Sequence, residues 1–353
     1  MKIFLEAFID NNFGDNLFVH ILTSRYSEHT FYLKEKEEYK KSYEILEGQI
    51  QNIRIIRQED EATYFRQMDG MLVVGGDMFG NGADYSNMIR QIKTIKKGKG
   101  FVGFLGISLF QNYSIRTWFD LSVLFSYADF VVVRESTTYH QLKKHVPWAK
   151  VICSCDMVFS VNLDELKKKR PDNNILGISV RKKIQAEEAL YYPQYCNNVA
   201  RAAVHYLEES PNHKVHFLAF SSGKYDDCKV AEDIMGLCPE ELQKRMECIS
   251  FHGNVETYMS GIQECGKLLC TRFHALVFAI LLEKPFVPII YEEKMARLLD
   301  EIGYYGKRLY YEDFSEYGKI PWCQSKGTYS RDKLSGYYKR AASFFEDADK
   351  RMK

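Results

Sequence analysis

Apolar residues along this chain fall into short runs of four to eight, each closed by a Gly-containing or charged turn and followed by a segment with helical spacing. The clearest case is Arg272–Leu282. Before it, Lys267-Leu268-Leu269-Cys270-Thr271 predicts a strand. After it, Glu283-Lys284-Pro285 predicts a stop and Phe286-Val287-Pro288-Ile289-Ile290 a second strand. Between them Ala275, Phe278, Ala279 and Leu282 recur at i, i+3, i+4 and i+7, and the opposite side is apolar as well. That is the signature of a helix buried on nearly all sides, as in a β-α-β crossover. Arg272 and His274 then stand where a strand's carboxyl end meets a helix amino terminus. Free N–H groups and the helix dipole favour an anion there. A structural arrangement meets the pattern equally: Arg272 paired with a surface acid and His274 capping the helix.

The same grammar recurs from the start of the chain. Lys2–Ile9 predicts a strand, Asp10–Asn16 a turn offering Asn12, Gly14 and Asp15, and Leu17 onward a helix. Asp15 there is a candidate base and equally a helix N-cap. Met71–Val74 is a fully apolar run, as in a buried parallel strand. It enters Gly75-Gly76-Asp77, where glycines allow close backbone approach to a ligand or to a second domain. Further strands are expected at Phe101–Ser108, Phe130–Val133 (ending at Arg134-Glu135) and Val151–Cys153. A helix is expected at Phe119–Phe125. Residues 31–56 are less readable, and the charged run Lys34–Lys41 reads as a solvated helix face.

Leu163–Asn174 is polar and ends in turn residues, the composition of an interdomain linker. A second series follows: Ile175–Val180 with Arg181 at its end, a helix over Tyr195–Glu208, Val215–Phe220 running into Ser221-Ser222-Gly223, and Cys248–Phe251. The tail from Arg331 predicts a closing helix. The expected architecture is α/β. Two doubly wound domains, residues 1–165 and 175–325, face each other across a cleft, and 326–353 forms a closing helix.

Bulk properties narrow the partners. A length of 353 residues suits two domains. A net charge of +1, from 48 basic and 47 acidic residues, gives no bulk attraction to nucleic acid. Nine scattered cysteines fit neither a zinc knuckle nor a secreted disulfide framework. An isolated Cys153-Ser154-Cys155 carries no redox assignment. Met1–Glu6 meets an acid too early for a signal-peptide core, and no apolar run approaches a membrane span, so a cytoplasmic location is expected.

Asn12-Phe13-Gly14-Asp15, the strand into Gly75-Gly76, Val131–Ser136, Asp156-Met157-Val158-Phe159, Ile178–Arg181, Arg272-Phe273-His274-Ala275, Lys284-Pro285 and Tyr291-Glu292-Glu293-Lys294 occur in this order. Together, over residues 1 to about 303, they resemble the polysaccharide pyruvyl transferase family. One departure is Asp77, where the family often has a third glycine. The resemblance implies a glycosyltransferase B-like pair of Rossmann-like domains, the first on the acceptor side and the second on the donor side. It also implies transfer of the pyruvyl group of phosphoenolpyruvate onto sugar hydroxyls as a ketal, with release of phosphate. The acceptor would be a glycan or lipid-linked oligosaccharide, placing the work in exopolysaccharide synthesis at the inner face of the membrane. No cofactor or metal is implied. A phosphate and a carboxylate call for two arginine clamps, Arg272 and Arg181. His274 is the candidate acid and Asp15 the candidate base. Gly14, Gly75 and Gly76 complete the expected substrate contacts. Lys294 and Arg134 add charge there or are structural. Two other readings stay open: a glycosyltransferase of the same fold using a nucleotide sugar, and a non-catalytic sugar- or phosphate-binding module.

Overall fold

A computed structural model describes residues 1–57, 61–76, 78–110, 112–161, 169–182, 190–222, 226–312 and 328–353. Asp77, Gly223 and positions 163–168 of the expected linker lie outside the described residues.

The chain forms two compact units, both α/β. One comprises Met1–Ile9, Asp15–Val161 and Tyr337–Lys353; the other comprises Asp10–Gly14 and Asn162–Gly336. The first, N-terminal unit contains β1 (Lys2–Ala7), most of α1 (Phe13–Arg25), β2 (Thr30–Lys34), α2 (Lys40–Gln49), β3 (Ile53–Ile56), α3 (Glu61–Arg66) and β4 (Gly70–Val74). It continues with α4 (Ser86–Lys97), β5 (Phe101–Ile107), α5 (Ile115–Ser126), β6 (Phe130–Val133), α6 (Ser136–His145) and β7 (Val151–Cys153). Its seven strands are all parallel, in the order β3-β2-β1-β4-β5-β6-β7. The fully apolar runs of β4, β5 and β6 are buried at every position, as a sheet covered on both faces requires. Phe79, Phe104 and Phe125 interlock over that sheet, with Phe104 and Phe125 centroids 4.9 Å apart.

The second, C-terminal unit contains β8 (Asp172–Ser179), α7 (Tyr192–Glu208), β9 (Lys214–Ala219), α8 (Asp227–Met235), the single-turn α9 (Glu240–Gln243), β10 (Met246–Ser250), α10 (Val255–Glu264) and β11 (Cys265–Cys270). After these come α11 (Phe273–Leu281), β12 (Phe286–Ile290), α12 (Glu293–Glu301) and β13 (Leu309–Tyr310). Its six strands are also parallel, in the order β10-β9-β8-β11-β12-β13. Apart from His274, every residue of α11 is buried, as its all-round apolar pattern predicted. Each fully buried Leu or Ile there contributes about 1.5–3 kcal/mol.

Three expectations change. Asp172-Asn173-Asn174, read as linker, opens β8, because exposed strand ends tolerate turn-forming residues. The tail is two helices, α13 (Arg331–Ala342) and α14 (Glu346–Met352), rather than one. Residues 30–56, hardly legible in sequence, hold the edge strand β3, its neighbour β2 and the helix α2 between them.

The tail from Tyr337 belongs to the N-terminal unit. Arg25 and Tyr26 each reach a carboxylate oxygen of Asp349 at 2.7 Å, and the His29 ring meets the Met352 carbonyl at 2.6 Å. Among the described residues no helix is long and apolar enough to cross a membrane.

Both sheets reverse strand order once, between β1 and β4 and between β8 and β11. Open α/β sheets bind ligands at the carboxyl edge of such reversal points. The turns that leave those four strands carry Gly14, Gly75, Gly76, Arg181 and Arg272.

Candidate functional site

In the C-terminal unit the site is built on the turn from β11 to α11. Ser179, the last residue of β8, accepts hydrogen bonds from the backbone N–H groups of Thr271 (2.9 Å) and Arg272 (3.0 Å). This pins the turn against the neighbouring strand and sets Arg272 as the helix N-cap residue, in extended backbone conformation. Arg272 is 5% exposed. Its Nε donates to Asp227 Oδ2 at 2.9 Å, and its Nη2 pairs with Asp227 Oδ1. Asp227 Oδ2 also accepts from the Phe220 and Ser221 N–H groups, at 3.0 and 3.1 Å. Burial pushes the Asp227 carboxyl above its ordinary range, against the opposing pull of Arg272. The Arg272 guanidinium loses hydration to the same burial, yet the Asp227 charge holds its pKa above the usual value. The expected arginine clamp is thus itself clamped. Its partner is a buried acid on α8, and two of its three nitrogens are committed to the fold.

Arg181 follows β8. Its Nη1 donates to the Tyr291 hydroxyl at 2.7 Å, its guanidinium carbon lies 4.4 Å from the Tyr291 ring centre, and its Nη2 is 3.3 Å from Glu292 Oε1. Its Nε is buried with no hydrogen-bond partner among the described residues. Lys294 reaches the other oxygen of Glu292 at 2.6 Å and lies 5.7 Å from the Phe273 ring centre. One carboxylate therefore bridges two of the expected substrate cations. Burial raises the Tyr291 phenol, and the adjacent cations only partly offset it.

His274 is half-buried at the second position of α11, its ring 5.4 Å from that of Phe273. Gly14 stands against it: a Cβ there would overlap the imidazole. The turn before Gly14 is fastened to the same unit. Asn12 pairs with Ser221, Phe13 N donates to the Phe220 carbonyl at 2.8 Å, and Asn12 Oδ1 accepts from Gly14 N at 2.9 Å. The Phe13 ring sits among Phe220, Phe251, Tyr258 and Phe278, with centroids 4.7–5.6 Å away. Asp15 lies in the first turn of α1, partly exposed.

The polar residues of the N-terminal unit gather separately. Arg134 donates through Nε to Ser108 Oγ, which donates to Glu135 Oε1, each at 2.9 Å; Thr138 Oγ1 donates to the same carboxylate oxygen. Asp156 lies 3.8 Å from Arg134 Nη1. All five residues are buried. Gly75 takes φ 140°, which side-chain-bearing residues rarely adopt, and a Cβ on Gly76 would overlap the Arg134 guanidinium. The Gly76 gap is filled by an internal arginine, and Ser108 and Asp156 of the same unit engage the Arg134 side chain.

Sequence reasoning brought Arg181, Arg272, His274 and Lys294 into one domain and left Gly14 in the other; the fold places Gly14 with them in the C-terminal unit. Sequence reasoning missed Asp227, Tyr291, Glu292 and Ser179 as their partners. Asp226-Asp227 carries a readable helix-start signal, but nothing local links Asp227 to an arginine 45 positions away. Among the described residues, no three His, Cys, Asp or Glu side chains are grouped to hold a metal ion.

Solved structures share this architecture. UDP-GlcNAc 2-epimerase from Methanocaldococcus jannaschii is similar over 97% of this chain and 92% of its own, with TM-score 0.55 and 10% identity. A putative UDP-N-acetylglucosamine 2-epimerase from Listeria monocytogenes is similar over 99% and 90%, with TM-score 0.53 and 11% identity. The Neisseria meningitidis UDP-GlcNAc 2-epimerase bound to UDP-GlcNAc is similar over 97% and 94%, with TM-score 0.51 and 10% identity. Such identities establish the fold alone, two parallel-sheet α/β domains of the glycosyltransferase B kind. A comparison with curated proteins found no match. The sequence itself decides the family. The model of polysaccharide pyruvyl transferases matches residues 5–293, from within β1, through the glycine, Arg134, Arg181 and Arg272–His274 turns, to the start of α12, and the chain belongs to that family of transferases.

Proposed function

We propose that this protein transfers the pyruvyl group of phosphoenolpyruvate onto two hydroxyls of a sugar in a cell-surface polysaccharide or its precursor, forming a ketal and releasing phosphate. The observation that carries the reading is the collection of Arg181, Arg272, Lys294 and His274 at the strand-order reversal of the C-terminal unit. Phosphoenolpyruvate presents a carboxylate and a phosphate, and a compact cationic site at a helix start suits both. Nε and Nη2 of Arg272 are held by Asp227, so an anion meets this guanidinium from its Nη1 edge. Arg181 offers its buried Nε.

Protonation of the methylene carbon makes the adjacent carbon electrophilic. One sugar hydroxyl adds there and loses its proton. Cleavage of the carbon–oxygen bond then expels phosphate, and the second hydroxyl closes the ketal, releasing its own proton. His274 is assigned the proton delivered to carbon, and Asp15, through the family resemblance, the proton taken from a hydroxyl. Groups in such roles each contribute about 10²–10⁴-fold.

Thermal unfolding with phosphoenolpyruvate, beside UDP, GDP and CMP, tests the donor. A ligand bound only by the native state stabilises by about 2.7 kcal/mol at a hundredfold excess over its Kd. A shift with phosphoenolpyruvate that Arg181→Ala removes is expected, followed by phosphate release when a suitable sugar is added. A shift with a nucleotide and none with phosphoenolpyruvate would replace this reading with a nucleotide-sugar glycosyltransferase.

A further inference from the structure

In the N-terminal unit the chain passes β4-α4-β5-α5-β6-α6-β7, and each crossover advances to the next strand in the same direction. Right-handed crossovers therefore put α4, α5 and α6 on one face of the sheet. α1 connects β1 to β2 in the opposite sense and lies on the other face, where α14 joins it through Asp349. The outer surface of the α4–α6 layer has an unusual composition. Ile115 and Phe119, one turn apart at the start of α5, are 91% and 67% exposed, and Phe110 just before them is 48% exposed. These large apolar side chains adjoin an aromatic cluster: Phe110 against Tyr113, Tyr113 against Trp118, and Trp118 stacked 4.0 Å from the His145 ring at the end of α6.

Within the three helices the charge is one-sided; beside them, exposed Asp84 just before α4 is the acid near Arg116. α4 and α6 contain no Asp or Glu, and α5 contains only Asp120. The same helices present exposed Arg90, Lys93, Lys97, Arg116, Lys143 and Lys144. In a chain whose net charge is +1, this is a segregated basic face with apolar side chains projecting from it. The burial pattern of α5 explains the protrusion. Thr117, Leu121, Leu124 and Phe125 already fill its core stripe, so Ile115 and Phe119 stand outside it.

We infer that this face docks on a lipid bilayer containing anionic lipid. Isolated bulky apolar side chains enter the headgroup boundary, while lysines and arginines around them meet lipid phosphates. A second copy of the chain would set one basic face against another across a two-fold axis, where like charges repel. A nucleic acid would meet the cations but offer nothing for Ile115 and Phe119 to enter. The face is independent of donor binding in the C-terminal unit, so it stands or falls apart from the reaction proposed above.

The test is flotation of the full chain with phosphatidylcholine vesicles, with and without phosphatidylglycerol. Binding is expected only with phosphatidylglycerol, and it should be lost near 1 M salt, where the screening length is about 3 Å. Lys143→Gln/Lys144→Gln should weaken binding by about 25-fold, near fivefold per charge. Ile115→Ser/Phe119→Ser should abolish it with an unchanged melting temperature. Absence of wild-type flotation would overturn the inference, as would flotation that both double variants retain. So would a wild-type dimer that the apolar double variant dissociates, with no vesicle binding by either protein.

Discussion

Gly14 lacks a side chain where the His274 imidazole stands: any β-carbon at that position would occupy the volume of the ring. The two residues are 260 positions apart, and both belong to the C-terminal unit. Gly14→Ala should push the ring aside while leaving the fold largely intact, at an overpacking cost of about 1–3 kcal/mol. A displacement of about 1 Å at a reacting group lowers turnover on the order of 10²-fold. Full phosphate release by the alanine variant would show that the imidazole's position does not matter to the reaction.

The buried Arg272–Asp227 pair makes a stability prediction independent of catalysis. Asp227→Ala leaves a guanidinium buried without its acid and should cost about 3–5 kcal/mol in denaturant unfolding. The double variant Asp227→Ala/Arg272→Met should be clearly less destabilised than the two single changes added together, because the uncompensated charge is gone. Additive losses would mean that the two side chains are not coupled.

These two relationships mark where the sequence was legible. The apolar periods of β4, β6, α11 and β12 identified those elements nearly to the residue, because buried parallel strands and a buried helix leave little room for polar side chains. Arg181, Arg272 and Gly14 were readable as candidates because strand ends and helix starts announce themselves locally. Their partners were not. Asp227 and Glu292 are ordinary acids until the fold brings them against arginines, and neither Gly76 nor Arg134 records in its own neighbourhood that one packs on the other. The edge strand β3 and its neighbour β2 were obscured because half-exposed strands carry the charges of a solvated surface.

Glu292 spans Arg181 and Lys294, two of the cations that the proposed function assigns to the substrate's anionic groups. Glu292→Gln removes a competing internal anion and should tighten phosphoenolpyruvate binding by roughly tenfold, about 1.4 kcal/mol. Calorimetric titration reads this directly. Weaker binding would mean that Glu292 holds the two cations in place rather than competing for them.

Acid should loosen the C-terminal clasp of the N-terminal unit. Burial alone would raise the Asp349 carboxyl, but hydrogen bonds from Arg25, Tyr26 and Lys353 lower it to about 2. A carboxyl depressed in the folded state stabilises above its unfolded value near 3.8, and that contribution is lost as pH falls through about 2. The group is partly exposed, so the effect is no more than about 1 kcal/mol. Asp349→Asn should be less stable at neutral pH and should converge on the wild type across this window. Parallel stability–pH curves would show that the clasp does not titrate.

Phe13 gives the C-terminal unit a core that is not continuous in sequence. Its ring fills a nest of Phe220, Phe251, Tyr258 and Phe278, while the residues on either side of the Asp10–Gly14 turn belong to the other unit. A fragment beginning at Asn162 would carry an unfilled aromatic hollow beside α11. During synthesis the Asp10–Gly14 turn emerges long before the strands that receive it, so the C-terminal unit is completed only when that turn is captured by residues made more than 200 positions later. Supplying such a fragment with a peptide of the first residues is then the natural route to reconstituting it.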